Sequence, residues 1–570
     1  MVSTPQPTRT ARAWAPFEPK LWTVVRQGYS LRAFQRDAFA GLTVAIVALP
    51  LAMALAIASG TTPEKGLHTA IVAGFLISFL GGSRVQIGGP TAAFIPVVFA
   101  VIAKFGYDGL ILCTLLAGLM LIAGGLLRLG TLLKFVPKPV VTGFTAGIAV
   151  SIVSSQVKDL LGLRMERVPA EFFPRWQAYV EHVVDFTPAA VAIAALCIVA
   201  IVGLRRWRPA WPGLLIAVAF GTLACTAFGL PVETIGSRFG SIPSQLPAFA
   251  IPHIPFERTW ELLPSSFTIA FLAGIESLLS AVVADGMIAG RHRSNAELVA
   301  QGVANIGSAV FGGLPATGAI ARTAANVRSG GRTPVAGMMH AAFLLVFMLV
   351  LAPLMRYVPL AALAAVLVVV AWNMAEIEGF KHLMRGPLGD RLVLILTFAL
   401  TAVFDLTVAI EVGLVLSAFL FMHRMANSVA VENGVSPDGD PDDAEDIGQR
   451  DRLPLGVEVF QVSGPLFFAV ANRLDDALDQ LPAPPRVFIL RMRHVPLIDA
   501  SGVAAIGDLI RRCTSHKTQV ILSGLRDQPR HILAQMRIEP DGKHVYFVLD
   551  FSQAVALARN LISDSTMHRT

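Results

Sequence analysis

Long segments that carry almost no charge constrain this chain more strongly than any other feature of its sequence. A helix that crosses a membrane needs about 20 consecutive apolar residues. Only 15% of the 570 residues are charged, whereas a soluble protein carries roughly 25%. The sequence therefore predicts a polytopic α-helical membrane protein. The clearest charge-poor segments lie at 39–59, 110–127, 189–203, 264–283 and 359–372.

Fourteen apolar segments can be counted between residues 38 and 424, and the charges at their ends indicate their orientation. Basic residues follow the even-numbered segments, as in "RRWR" at 205–208 and "RHR" at 291–293. Lys and Arg concentrate on the cytoplasmic side of a membrane. Because the count is even, both termini are expected in the cytoplasm. The segments are 39–59, 66–82, 91–104, 108–127, 132–157, 187–203, 211–229, 264–288, 295–311, 318–329, 333–353, 358–373, 389–404 and 406–423.

The composition changes sharply after residue 432. "SPDGDPDDAED" at 436–446 is acidic and lacks large hydrophobic side chains, which is typical of a solvated linker. Strand-like and helix-like patterns then alternate, which predicts a small, largely parallel α/β domain. The predicted strands are 457–463, 486–492, 518–524 and 545–550, and the predicted helices are 466–481 and 502–513. The predicted divisions are a cytoplasmic segment 1–37, a membrane domain 38–424, an acidic linker 425–452, an α/β domain 453–562 and a tail 563–570.

Other function classes find little support in the sequence. The four cysteines form no CxxC pair, so neither a structural zinc site nor a disulfide framework is expected. No nucleophile-and-base set, metal cluster or phosphate-binding loop is recognisable, so we expect neither an enzyme nor a cofactor. The net charge of +7 is interpreted as Lys and Arg that orient the spans, and no nucleic-acid partner is expected.

Two of the apolar segments begin with a helix-breaking motif. "GGPTAA" at 88–93 starts the third segment, and "GGLPATGA" at 312–319 starts the tenth. The two segments are seven apart, so they have opposite orientations in the membrane. Non-helical backbone at membrane depth survives only where it is buried in protein or lines a wet cavity. One break could merely allow close helix packing, but a matched pair in two inverted halves points to the binding site of a transporter.

Helix N-termini that face each other can bind an anion. The first turn of a helix has unpaired N–H groups and a partial positive charge. Two such ends in a cavity of low dielectric constant would attract a small anion, and the small residues around them would let it approach the backbone. Arg322, one turn into the tenth segment, would add a full positive charge. An ionisable residue inside a membrane is a functional candidate by default.

Glu276 is the other charged candidate, with Ser280 one turn later on the same face of the eighth segment. Burial disfavours the charged form of a carboxylate, so Glu276 could be protonated and could couple anion movement to H⁺. With Ser280 and nearby carbonyls it could instead bind Na⁺ through oxygen ligands. A structural ion pair with Arg322 or another basic neighbour is the third alternative.

Four longer stretches share the pattern of one transporter family. They are "ALPLAMALAIASG" at 48–60, "GGSRVQIGGPTAAF" at 81–94, and the ranges 275–306 and 311–337. On these motifs, the chain resembles the sulfate permease (SulP) family of anion transporters over about 38–562. Its C-terminal part resembles a STAS domain, which is named for sulfate transporters and anti-sigma factor antagonists.

The resemblance implies two inverted seven-span repeats that form a core domain and a gate domain. The core takes spans one to four and eight to eleven, and it would move in an elevator-like mechanism. The resemblance also implies a homodimer in the lipid of a bacterial inner membrane. It places cation coupling at Glu276; the residues themselves add Ser280, and a Na⁺ ion near Glu276, Ser280 and Gly318 if sodium is the coupling ion. The implied anion-binding residues are Leu51, Leu55, Pro90, Thr91, Ala92, Ala319, Ile320, Ala321 and Arg322.

The implied activity is secondary active transport of sulfate, bicarbonate or a C4-dicarboxylate, coupled to H⁺ or Na⁺. Leu51 stands where many family members have Gln, and Ala321 stands where some animal members have Ser. Both differences remove side-chain hydrogen bonds, so the identity of the anion stays open. An uncoupled channel, a motor-like protein or an exchanger on the same scaffold is the alternative. The STAS domain argues against a nucleobase permease, and fourteen spans are far more than a membrane-tethered signalling protein needs.

The loop "LIDASGV" at 497–503 resembles the STAS loop that opens a helix. Ser501 occupies the position that is phosphorylated in anti-sigma factor antagonists, and a phosphate is well placed at a helix N-terminus. The alternative is that Ser501 simply caps the helix. A cytoplasmic protein is the partner that the resemblance implies for this domain.

Overall fold

The computed structural model describes residues 15–131, 137–165, 168–169, 171–208, 211–240, 249, 259–404, 406–427, 430–433, 453–467 and 483–567. The chain divides into two compact units, one that ends at Ser417 and one that begins at Ala418. The first unit is helical and the second is of the α/β type. The predicted domain boundaries stay predictions.

The first unit is mainly helical, apart from two short strands, β1 (Gly88–Gly89) and β2 (Thr317–Gly318), because lipid offers no hydrogen-bond partners to the backbone of an apolar segment. Within a bilayer, each backbone N–H and C=O must find its partner inside the protein, and a helix satisfies this requirement within one segment. The helices are α1 (Lys20–Arg26), α2 (Leu31–Ala58), α3 (Pro63–Leu80), α4 (Ile95–Leu126), α5 (Lys138–Leu161), α6 (Phe172–Glu181), α7 (Pro188–Trp207), α8 (Gly213–Ala227), α9 (Ile235–Phe239), α10 (Thr259–Ile288), α11 (Ser294–Val310), α12 (Ile320–Arg328), α13 (Val335–Met355), α14 (Leu360–Met374), α15 (Ile377–Leu383), α16 (Leu388–Val403) and α17 (Leu406–Asn427).

All fourteen predicted segments overlap helices of the structure. The third and fourth segments share α4, which Gly106 interrupts with φ 72° and ψ −176° between the two predicted spans. In the described part of the chain, seven helical stretches are long and apolar enough to cross a membrane. The tenth segment is much shorter, because α12 has only nine residues. A short helix that starts inside the protein is what the broken motif at 312–319 predicts.

The helices pack in two groups that correspond to the predicted core and gate. In the core group, α11 packs against α3 and α4, α13 packs against α2 and α3, and α10 packs against α4 and α12. In the gate group, α5 packs against α14 and α16, and α8 packs against α7 and α14. The two helix-breaking motifs therefore belong to the same group of helices.

Two glycines explain how closely α4 and α11 approach. A Cβ atom on Gly302 would lie 2.5 Å from the carbonyl oxygen of Gly118, and one on Gly118 would lie 2.7 Å from that of Gly302. No other residue fits either position, because a Cβ would overlap the backbone of the opposite helix. Small residues allow this kind of close packing between membrane helices. The contact holds α11 against α4 within the core group.

The second unit contains a five-stranded sheet of β3 (Ala430–Asn433), β4 (Val457–Ser463), β5 (Val487–His494), β6 (Gln519–Ser523) and β7 (Val545–Val548) in that spatial order. Strands β4 to β7 are parallel, as the alternating pattern predicts, and β3 is antiparallel to β4. The sequence did not predict β3, which lies inside the proposed linker. The predicted helix at 466–481 lies almost entirely outside the described residues. The described helices are α18 (Ala500–Ser515), α19 (Asp527–Gln535) and α20 (Phe551–Met567).

Candidate functional site

The two helix-breaking motifs meet in the structure. Their glycines form a pair of two-residue antiparallel strands, β1 (Gly88–Gly89) and β2 (Thr317–Gly318). Gly88 is opposite Gly318, and the N–H of Ala319 donates to the carbonyl of Ile87 at 2.9 Å. The segments that lead into the third and tenth spans, here called the two leaders, are thus hydrogen-bonded to each other. The sequence predicted that they face each other, and the structure adds the strand pairing.

We call the paired strands β1 and β2 the bridge. The two half-helices begin directly after it. Thr91 precedes a single 3₁₀ turn, Ala92–Phe94, which continues into α4. Ala319 precedes α12 in the same way. The motif that contains Pro90 is predicted to start the third segment, but Pro90 lies outside the helix, and Pro96 occupies the first turn of α4. Thr91 is still extended, with φ −125° and ψ 158°, so the helix begins after it.

Few of the N–H groups near the bridge remain available to a ligand. Ala319 is predicted to bind the anion, but its N–H is already bonded to Ile87. The N–H groups of the first helical turns, at Ala92 and at Ile320 and Ala321, have no carbonyl partner within their own helices. The side chains of Ile320 and Ala321 are exposed, while Ala92 is buried. The N–H donors that remain for an anion therefore lie in these two first turns.

Arg322 links the tenth segment to the third. Its side chain is buried, and its guanidinium donates to the carbonyl of Gly88 at 3.5 Å and to the carbonyl of Pro90. A Cβ on Gly89, which has φ 144°, would lie 2.5 Å from the Nη1 atom of Arg322. The backbone at position 89 therefore favours glycine, and a larger residue would displace the guanidinium. The Nε of Arg322 has no hydrogen-bond partner among the described residues.

Glu276 lies on α10, next to the start of the third segment. Its Oε2 accepts a hydrogen bond from the Thr91 hydroxyl at 3.0 Å. Among the described residues, Glu276 forms no ion pair within 4.0 Å, so the predicted alternative of a direct ion pair with Arg322 is not observed. The carboxylate and the guanidinium thus contact the same leader, at Thr91 and at Pro90, without contacting each other.

The remaining predicted residues have supporting positions. The Ser280 hydroxyl donates to the hydroxyl of Thr323 at 3.2 Å, and that oxygen also accepts the N–H of Ile87 at 3.1 Å. Ser280 therefore supports the bridge indirectly, through Thr323 and the backbone of Ile87. Leu51 and Leu55 are buried on α2 in the apolar cluster that includes Ala92.

A row of polar residues on α11 was missed by the sequence analysis. These residues recur at helical spacing and are fully buried: Glu297, Gln301, Asn305 and Ser308. Glu297 accepts the N–H groups of Gly82 at 2.8 Å and Ser83 at 3.1 Å, at the start of the third-span leader. Polar residues at i, i+4 and i+8 in an apolar segment are a signal that the sequence already contains.

Asn305 holds the other leader. Its Nδ2 donates to the carbonyl of Ala316 at 2.9 Å, and its Oδ1 accepts the N–H of Ala316 at 2.9 Å. The Ser308 hydroxyl donates to the carbonyl of Leu314 at 2.6 Å, and the Thr69 hydroxyl accepts the N–H of Leu314 at 2.6 Å. One helix, α11, therefore contacts both leaders and determines their relative position.

In the second unit, Ser501 is exposed in the first turn of α18. The helix is capped by Asp499, whose carboxylate accepts the N–H of Gly502 at 2.8 Å. The alternative that Ser501 serves as the cap is therefore wrong, because Asp499 already has this role. Phosphorylation of Ser501 stays a prediction.

Comparisons with known proteins identify the families that the two parts of the chain match. The sequence model of the sulfate permease family matches residues 34–397, and the model of the STAS domain matches residues 452–550. A Bacillus subtilis (strain 168) protein, named "Putative sulfate transporter YvdB", is 40% identical over 510 residues, which are 89% of this chain and 94% of that protein. The bicarbonate transporter BicA of Synechocystis sp. is 30% identical over 525 residues, 89% of this chain and 91% of its own length.

Two solved structures are also similar. The murine Solute Carrier 26 family member A9 anion transporter in the inward-facing state has a TM-score of 0.85 at 17% identity, with 98% of this chain and 96% of that chain covered. The transmembrane domain of a cyanobacterial BicA has a TM-score of 0.61 at 32% identity, with 68% of this chain and 98% of that chain covered. At 17% identity the first match concerns the fold alone.

Proposed function

Because this chain belongs to the sulfate permease family, whose members are membrane anion transporters and not enzymes, we propose that it is a secondary active transporter of a small anion. The observation that carries the proposal is the bridged pair of half-helix starts at Thr91 and Ala319, with Arg322 beside them. Helix N-termini and a guanidinium both favour negative charge. The anion would bind to the N–H groups of the two first turns and to the unpaired part of Arg322.

Sulfate is the first candidate substrate and bicarbonate the second. The relative at 40% identity carries a sulfate transporter name, and BicA, at 30% identity, is a bicarbonate transporter. Backbone N–H donors and one guanidinium discriminate weakly between small oxyanions, so the site chemistry fits both. A C4-dicarboxylate is the third candidate, because a carboxylate can accept hydrogen bonds from the same N–H groups and guanidinium.

Coupling to H⁺ or Na⁺ is assigned to Glu276. Its carboxylate contacts Thr91, which immediately precedes the first turn of the anion site. A change in the charge of Glu276 would therefore alter the electrostatic potential where the anion binds. Ser280 contacts Thr323 instead, so we place any Na⁺ ion on the Glu276 side.

The movement that we propose is elevator-like. Both leaders, Arg322 and Glu276 lie on helices of the core group, so the complete candidate site can move as one body against the gate group. The protein would lie in a bacterial inner membrane as a homodimer with both termini in the cytoplasm. The STAS domain would offer a surface to a cytoplasmic protein.

Uptake into proteoliposomes tests this proposal. Radiolabelled sulfate, bicarbonate, succinate and fumarate are each offered with and without proton and sodium gradients. Accumulation of one anion above its equilibrium level, driven by one of the gradients, is the expected result. Flux that only equilibrates the anion would instead indicate a channel or an exchanger on the same scaffold, and no flux of any of the four anions would contradict the proposal.

A further inference from the structure

Four arginines form a second basic site, at the end of the core that is expected in the cytoplasm. Arg32 and Arg36 lie one turn apart on α2, and Arg328 and Arg332 lie at and after the end of α12. All four side chains are exposed. We call these four residues the arginine cluster.

Asp37 brings the two segments of the cluster together. Its buried carboxylate accepts the N–H of Arg332 at 2.9 Å and the hydroxyl of Thr333 at 2.5 Å. The Cγ of Arg36 lies 3.3 Å from the position that a Cβ on Gly330 would occupy. The loop after α12 is therefore tied to the first turns of α2, and the two pairs of arginines lie beside each other.

The arginine cluster differs from other arginines at this end of the protein, because its guanidinium groups make no side-chain hydrogen bond or ion pair with the described residues. Arg26 pairs with Glu18 at 2.5 Å, Arg293 pairs with Glu18 at 3.3 Å, and Arg84 donates to Gln27 at 2.8 Å. No side-chain hydrogen bond or ion pair involves a member of the arginine cluster within the described ranges. Four guanidinium groups around the single carboxylate of Asp37 leave a net positive charge, which favours an anionic ligand.

The depth of the cluster indicates which anion this is. Helix α2 has 28 residues and is about 42 Å long, whereas the hydrocarbon core of a bilayer is only about 30 Å thick. Because the apolar segment begins at residue 39, the first turns of α2, at 31–38, are expected to lie in the headgroup layer. Phe39 on the next turn is 66% exposed and Leu31 is 72% exposed, as expected for residues that face lipid tails and the interface. The side chains of Arg32 and Arg36 thus lie at the level of the lipid phosphates.

We propose that the arginine cluster binds the phosphate headgroup of an anionic phospholipid in the cytoplasmic leaflet. The guanidinium fork matches two phosphate oxygens, and the apolar side chains beside it accommodate the acyl chains. The site is separate from the anion site, since Arg322 and Arg328 lie at opposite ends of α12, about 9 Å apart along its axis.

Lipid titration of the purified full-length protein in detergent tests the proposal, with bound lipid counted by native mass spectrometry. Dioleoyl phosphatidylglycerol is compared with dioleoyl phosphatidylcholine. Arg328→Gln/Arg332→Gln is expected to weaken phosphatidylglycerol binding by about fivefold for each arginine removed. These substitutions keep the backbone N–H that Asp37 accepts. The control Arg205→Gln/Arg206→Gln removes two arginines at the end of α7 and should change binding less than twofold.

Three results would overturn the proposal. The first is equal binding of the two lipids by the unmodified protein. The second is displacement of phosphatidylglycerol by millimolar glycerol phosphate, which would indicate a site for free anions. The third is that Arg328→Gln/Arg332→Gln raises the KM of the transported anion as much in vesicles of pure phosphatidylcholine as in vesicles that contain phosphatidylglycerol. This result would make the cluster an entrance for the substrate. If Arg328→Gln/Arg332→Gln cannot be purified, Arg32→Gln/Arg36→Gln measures the same site from α2.

Discussion

Asn305 offers the sharpest test of how the core positions the anion site. The residue is fully buried on α11, and its amide makes hydrogen bonds to both backbone groups of Ala316, two residues before Gly318. Asn305→Ala would leave the N–H and the C=O of Ala316 without these partners, and Ala316 is itself fully buried. The leader of the tenth segment would then shift to find other partners. Asn305 acts through this leader and is a positioning residue.

The size of the effect follows from these two bonds. An unpaired buried polar group costs about 1–3 kcal/mol in general, while hydrogen bonds between membrane helices contribute about 0.6 kcal/mol on average. The two lost bonds together therefore cost about 1–6 kcal/mol. If the leader relaxes at the expense of the anion site, the affinity for the transported anion should fall at least about fivefold, which corresponds to about 1 kcal/mol.

Asn295→Ala is the matched control. Asn295 is a buried asparagine on the same helix, and its Oδ1 has no partner in the part of the chain that the structure describes. The assay is initial-rate uptake into proteoliposomes over a range of anion concentrations, together with the thermal midpoint of each purified variant. We expect a raised KM with a smaller change in kcat for Asn305→Ala, and a change of less than twofold for Asn295→Ala.

A folded Asn305→Ala variant with a KM within twofold of the unmodified protein would refute the reasoning. If that variant does not fold, Asn305→Leu provides the second measurement. The leucine has nearly the same size, but it can neither accept the N–H of Ala316 nor donate to its carbonyl. Its KM should therefore also rise, and an unchanged value would lead to the same negative conclusion.

Three further predictions concern single side chains. Glu276→Gln keeps an acceptor for Thr91 but cannot exchange a proton or carry charge. Anion binding should therefore persist, while gradient-driven accumulation in proteoliposomes is lost. Full accumulation would exclude the coupling role. Arg322→Gln removes the guanidinium beside the bridge, so the KM for the anion should rise more than tenfold, and an unchanged KM would place the anion elsewhere. All four cysteines are buried, and burial raises the pKa of Cys513 to about 11. None of them should therefore react with a maleimide at pH 7.5 before the protein unfolds. Rapid labelling of the native protein would contradict the packing.

The sequence was sufficient to predict the helices of the membrane domain. Hydrophobicity is a local property, and lipid forces each apolar segment to satisfy its own backbone, so every predicted segment falls on a helix. The paired motifs at 88–93 and 312–319 also predicted that two helix starts meet, because a break repeated in inverted halves brings both starts to a similar depth from opposite sides. In the α/β unit, the alternating pattern predicted β4 to β7 but not the short strand β3.

The tertiary structure alone decided how the site is held together. The pairing of Gly88 with Gly318, the hydrogen bonds of Asn305 to Ala316 and the contact of Glu276 with Thr91 join residues that are separated in the chain. Each of these contacts depends on the rotation and depth of one helix against another, and neither quantity is encoded in the apolar periodicity of a single segment. The sequence by itself therefore determined which segments cross the membrane and which two are broken, whereas helix packing determined which polar groups meet between them.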